Sequence, residues 1–146
     1  RTDSKVLREA VAFAQSKGVL LVASAGNDNT ATPQYPAAYS GVITVASITL
    51  SDQKASFSNY GSSVDVDAPG VDVVSAYPGG GYAVASGTSF SSPEVAGLVA
   101  LILTHKTTGI ATSVNSTSVN VDGWNPGYAT MLGYGRIDAL RAVQAP

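Results

Sequence analysis

Apolar positions recur along this chain at two periods, and the places where one gives way to the other mark its elements. Val6, Leu7, Ala10, Val11, Phe13 and Ala14 return at helical spacing. Ser4 or Asp3 can cap the start of that helix, and Gly18 ends it. Val19-Leu20-Leu21-Val22-Ala23 is an unbroken aliphatic run, the pattern of a strand buried on both faces of a parallel sheet. A helix, a glycine and a buried strand make half of a βαβ unit whose first strand would precede Arg1. The chain is therefore expected to begin inside an architecture. A second buried strand covers Val42 to Ile48, after a loop from Pro33 to Tyr39. Val64-Asp65-Val66-Asp67 alternates with period two, which predicts a strand with one polar, solvated face.

Val71 to Tyr77 and Tyr82 to Ser86 flank Pro78-Gly79-Gly80-Gly81 and read as a hairpin. The triple glycine is followed by neither G-K-[ST] nor a helix, so it is no phosphate loop. Val95 to Leu103 continues as an apolar helix toward His105. Thr107 to Val121 is rich in Thr, Ser and Asn and lacks helical periodicity. A closing helix follows Asp138, which suits a helix N-terminus. These elements predict an α/β fold, a three-layer sandwich with a mostly parallel central sheet that is incomplete on its N-terminal side.

Candidate chemistry gathers at Gly87-Thr88-Ser89-Phe90-Ser91-Ser92-Pro93-Glu94-Val95-Ala96-Gly97. Pro93 fits the first turn of a helix, which places Ser89 at or beside the helix N-terminus. Free N–H groups and the positive dipole end favour negative charge there. Such a serine is a candidate nucleophile, and equally an N-cap. Asn27 ends the first strand, where ligand chemistry collects in open α/β sheets, and where an Asn also serves simply to turn the chain.

The 146 residues suffice for one domain with a core, and the net charge of −2 argues against a nucleic-acid partner. No apolar run is long enough to span a membrane. The absence of cysteine excludes disulfides and thiolate metal sites.

The serine segment resembles the motif G-T-S-M-A-x-P-H-V-[AS]-G of the subtilases, the subtilisin-like serine proteases, with Phe90 for Met, Ser91 for Ala and Glu94 for His. Val22-Ala23-Ser24-Ala25-Gly26-Asn27 is similar to the segment carrying that family's oxyanion-hole asparagine. Further stretches that resemble the family are Ala55 to Gly61, Val64 to Gly70 and Gly133 to Val143. The resemblance implies that residues 1–146 are the C-terminal part of a catalytic domain, with Ser89 as nucleophile and Asn27 as oxyanion donor. It implies that Ser24, Ala25 and Gly26 line the substrate's P1 pocket. Tyr35-Pro36-Ala37-Ala38-Tyr39 is similar to a family segment in which the carbonyls of Ala37, Tyr39 and Val42 would hold a structural calcium or sodium ion; no cofactor is required for the reaction. A helix usual to the family between residues 107 and 121 is expected to be lost or shortened. The resemblance also implies secretion and a peptide or protein substrate.

The family's Asp and His motifs precede its serine along the chain. Neither is present here, and the one histidine, His105, follows Ser89 on the same helix. Three readings follow. In the first, an upstream half of the catalytic domain supplies Asp and His, and this chain is inactive alone. In the second, the chain is a catalytically dead, protease-derived binding module. In the third, Ser89 sits on a nucleophile elbow, but Gly87-Thr88-Ser89-Phe90-Ser91 lacks the second glycine that elbow needs.

Overall fold

A computed structural model describes residues 2–146. Helix α1 (Lys5–Ser16) starts at Ser4, whose side chain accepts from the Leu7 N–H, and Gly18 follows its end in the left-handed region at φ +77°. Strands β1 (Leu21–Ser24), β2 (Val42–Ile48) and β3 (Val66–Pro69) form a parallel sheet in the order β1-β2-β3. Leu21 pairs with Val42 and Val45 with Val66. Strands β4 (Val73–Tyr77) and β5 (Gly81–Ala85) form the expected antiparallel hairpin. Helix α2 runs from Thr88 to Leu103, α3 from Ile110 to Thr117 and α4 from Ala139 to Gln144.

The strand period sorts side chains onto two faces. Val22, Ile43, Val45, Val66 and Ala68 point at α2, α3 and α4, where Val95, Leu98, Ile102, Ile110, Val114 and Ala142 complete the larger core. On the opposite face Leu21, Ala23 and Val42 meet Leu7 and Val11 of α1, with Tyr35 and Tyr39 packed against them. Helices thus cover both faces of the sheet, as expected.

Four expectations are corrected. The first strand begins at Leu21, not Val19, and is half-buried throughout because β1 is an edge with one neighbour. Asp67 does not lie on a solvated face. It is fully buried, because the segment before α4 runs along β3, with the Asp67 N–H donating to the Gly135 carbonyl and the Ile137 N–H to the Asp67 carbonyl. Pro93 lies in the second turn of α2 rather than the first, since the helix begins at Thr88; the Ser89 carbonyl therefore has no N–H to meet it four residues on. The stretch after Thr107, which lacks helical periodicity, contains a helix, α3. Its only large apolar residues, Ile110 and Val114, are four apart and buried, while the Ser113 and Thr117 hydroxyls bond back to the carbonyls of Gly109 and Ser113.

Candidate active site

The C-terminal end of β1 and the N-terminal end of α2 meet. Ser89 is the second residue of α2 and is exposed. Asn27 sits three residues past β1, also exposed. Between them stands Thr88. Its N–H donates to Asn27 Oδ1 at 2.9 Å, and its hydroxyl donates to the same oxygen at 2.8 Å. The Thr88 hydroxyl in turn accepts from the Gly26 N–H at 3.3 Å. A backbone N–H can only donate, so the Thr88 amide decides which way the Asn27 amide is turned. Asn27 Nδ2 faces away from Thr88, lies 3.6 Å from where a side chain at Gly87 would begin, and has no acceptor among the described residues.

The first amides of α2 complete the picture. The Thr88 N–H goes to Asn27 and the Phe90 N–H to the Gly87 carbonyl at 2.9 Å. The Ser89 N–H has no partner among the described residues, as a helix N-terminus dictates. Two donors at the start of α2, Asn27 Nδ2 and the Ser89 N–H, are thus unengaged among the described residues. This arrangement can stabilise negative charge developing on an oxygen between them.

A cleft of about 510 Å³ opens beside this point, with Ser24, Gly26 and Asn27 on one wall and Gln34, Tyr35 and Pro36 on another. Ala25 is not on the wall. It is buried, packed with Ala46 and Val64. His105 lies just past the far end of α2. Sixteen residues (105 minus 89) at 1.5 Å each put it about 24 Å from Ser89, far outside the 3 Å or so that a general base must reach.

The carbonyls read as cation ligands are partly engaged. The Ala37 carbonyl accepts from the Thr44 hydroxyl at 2.8 Å and the Tyr39 carbonyl from the Val42 N–H at 3.2 Å. Each keeps a second lone pair. No cluster of three acidic, His or Cys side chains that could hold a metal occurs among the described residues. Backbone carbonyls are hard, uncharged oxygen ligands.

Thr88, Asn59 and Gly70 shape this site, and the sequence reading gave none of them a role. A Cβ on Gly70 would lie 2.2 Å from both the Ser47 and Ser91 hydroxyls and 2.9 Å from the Gly87 carbonyl. Gly70 also joins β3 to the start of α2, since its carbonyl accepts from the Gly87 N–H at 2.8 Å. These contacts link residues far apart in sequence and leave no local signature.

A family model described as the subtilase family matches residues 1–135. The chain is 42% identical over 140 residues to thermitase of Thermoactinomyces vulgaris, an alignment covering 94% of this chain and 49% of thermitase. It is 39% identical over 147 residues to a thermostable alkaline protease of Halalkalibacterium halodurans, covering 98% of this chain and 39% of that protein. Among solved structures, the patellamide maturation protease PatA superposes with a TM-score of 0.89 at 30% identity, over 98% of this chain and 57% of that one. A protease of Pseudoalteromonas arctica superposes with a TM-score of 0.88 at 33% identity, over 99% of this chain and 48% of its own. The chain spans half or less of the length of these two curated relatives.

Proposed function

The chain belongs to the subtilase family, and from that premise we propose that residues 1–146 form the C-terminal part of a serine endopeptidase catalytic domain. Ser89 Oγ attacks the carbonyl carbon of a peptide bond, and its proton passes to a histidine supplied by a complementing upstream segment. The oxyanion accepts from Asn27 Nδ2 and from the Ser89 N–H. Collapse of the intermediate breaks the C–N bond, the histidine returns the proton to the leaving amine, and an acyl-enzyme remains on Ser89 for water to hydrolyse. Ser24 and Gly26 form one wall of the P1 pocket, with Ala25 as backing behind it.

The observation that carries this reading is the pair of hydrogen bonds from Thr88, the neighbour of Ser89, to Asn27 Oδ1. They leave Asn27 Nδ2 free near Gly87, at the start of the helix that carries Ser89. The need for a complementing segment is supported by surface that a finished domain does not leave bare. β1 has one open edge. Leu101 and Leu103 of α2 are 55% and 44% exposed, and Phe13 of α1 is 66% exposed. The Ala37, Tyr39 and Val42 carbonyls are proposed to hold at most a weak monovalent ion, and the reaction itself needs none. No helix among the described residues is long and apolar enough to cross a membrane. Secretion is proposed from the family resemblance.

The test is to incubate the chain with a chromogenic peptide and a serine-directed phosphonate, alone and fused behind the upstream segment of thermitase. Labelling of Ser89 and hydrolysis only in the fusion, both abolished by Ser89→Ala, are the expected result. Rapid labelling of the lone chain would show that it holds its own base. No labelling in a folded fusion would leave the binding-module reading.

A further inference from the structure

The loop that carries Asn27 is held from behind by Asn59, a buried side chain to which neither the hydrophobic pattern nor the resemblance attaches a role. Asn59 is 3% exposed. Its Nδ2 donates to the Ala25 carbonyl at 2.9 Å. Its Oδ1 accepts from the Asp28 N–H at 2.9 Å and the Thr30 N–H at 3.2 Å. Its own N–H donates to the Gly26 carbonyl at 2.9 Å. The approach depends on Gly26, which has φ +109° and where a Cβ would lie 2.4 Å from Asn59 Nδ2. Two neighbours of Asn59 extend the grip: the Asn29 N–H donates to the Phe57 carbonyl at 2.8 Å, and Lys54 Nζ donates to Asn29 Oδ1 at 2.8 Å.

We propose that Asn59 is a positioning residue for the oxyanion donor, fixing the path of residues 25–30 so that Asn27 Nδ2 stays aimed at the start of α2. The proposal rests on the reading of Asn27 given above. The bonds from Asn59 reach residues 25, 26, 28 and 30, on both sides of Asn27, while Thr88 grips the Asn27 side chain and, on one side only, the Gly26 N–H. Asn59 thus holds the backbone on both sides of Asn27, and Thr88 sets the amide rotamer. An Asn is needed because the loop presents one carbonyl and two N–H groups to a single side chain, and only a carboxamide supplies both a donor and a twofold acceptor. Without it the loop relaxes. Misplacing a donor by about 1 Å costs up to about 100-fold in rate.

The experiment uses the fusion with the thermitase upstream segment and a chromogenic peptide. Asn59→Ala should lower kcat about 10- to 100-fold with KM little changed, because the loop donor acts on the transition state and not on bound substrate. Asn59→Asp, which keeps the acceptor but sets an oxygen against the Ala25 carbonyl, should fall between. Asn59→Ala combined with Asn27→Ala should be no slower than Asn27→Ala alone. Equal slowing by Asn59→Ala in both backgrounds would overturn the proposal, since the residue would then act on general structure. Amide exchange at Asp28 and Thr30 is read in parallel. Exchange that accelerates there in Asn59→Ala, with β2 unchanged, supports the positioning role; unchanged protection overturns it. A wild-type fusion that hydrolyses nothing defeats the protease reading, and the exchange data then decide the role of Asn59 separately.

Discussion

Thr88 and Asn27, 61 positions apart, share one oxygen: both the amide and the hydroxyl of Thr88 donate to Asn27 Oδ1. Replacing Asn27 by Leu in the fusion with the thermitase upstream segment should therefore lower kcat by about 10²–10³-fold with little change in KM, the usual loss when one oxyanion donor is removed. Thr88→Val keeps the amide bond but loses the hydroxyl and strands the Gly26 N–H. It should lower kcat by roughly 5-fold, in line with about 1 kcal/mol for one hydrogen bond. Steady-state kinetics on one peptide check both, and a Thr88→Val loss as large as that of Asn27→Leu would contradict the division of labour between them.

Gly70→Ala should destabilise the fold by about 1–3 kcal/mol, the usual range for forcing atoms into a filled site. The added methyl meets the Ser47 and Ser91 hydroxyls and the Gly87 carbonyl. Because Gly87 precedes α2, phosphonate labelling of Ser89 should slow as well. Urea midpoints and labelling rates measure the two effects, and an unchanged midpoint would contradict this account.

Asp67 predicts a pH dependence. Both its oxygens are buried without partners, and burial, with Asp122 and Asp52 nearby, raises its pKa to about 8 from 3.8. The folded state holds a proton over that interval which the unfolded state has released. The contribution of this group is thus fully present below about pH 4 and is lost as pH rises toward 8. Asp67→Asn should flatten that part of the stability curve and gain most over wild type at pH 9 and above. Thermal midpoints of both proteins across this range are the measurement; parallel curves would show that Asp67 is not the group responsible.

Calcium should raise the thermal midpoint no more than sodium at matched ionic strength. The Ala37 and Tyr39 carbonyls already accept hydrogen bonds, and no acidic cluster stands by among the described residues. A calcium-specific stabilisation reversed by a chelator would overturn this.

His105→Gln should leave hydrolysis by the completed protein unchanged and shift stability by no more than about 0.5 kcal/mol, as expected for an exposed side chain away from the site. A loss of activity would mean that His105 reaches the serine by an arrangement other than the one described.

The sequence by itself determined most of the elements and their order, but not α3, whose Thr, Ser and Asn residues carry no helical period. The limits of β2, the Ser4 and Asp138 caps and the hairpin about Gly79 and Gly80 were legible because each depends on residues within one or two turns of one another. The serine and asparagine motifs were legible for the same reason, as short runs of fixed spacing. Only the tertiary structure decided what surrounds them. Asp67 alternates with Val66 like a surface residue, yet the chain near Gly135 closes over it. Val6 and Phe13 keep helical spacing, yet α1 turns them outward and buries Val11. The partners of Asn27, namely Thr88 at its side chain and Asn59 behind its backbone, lie 61 and 32 positions away (88 minus 27 and 59 minus 27). Hydrogen bonds of about 3 Å between such distant residues depend on how β1, β2 and α2 pack together, which no local pattern encodes.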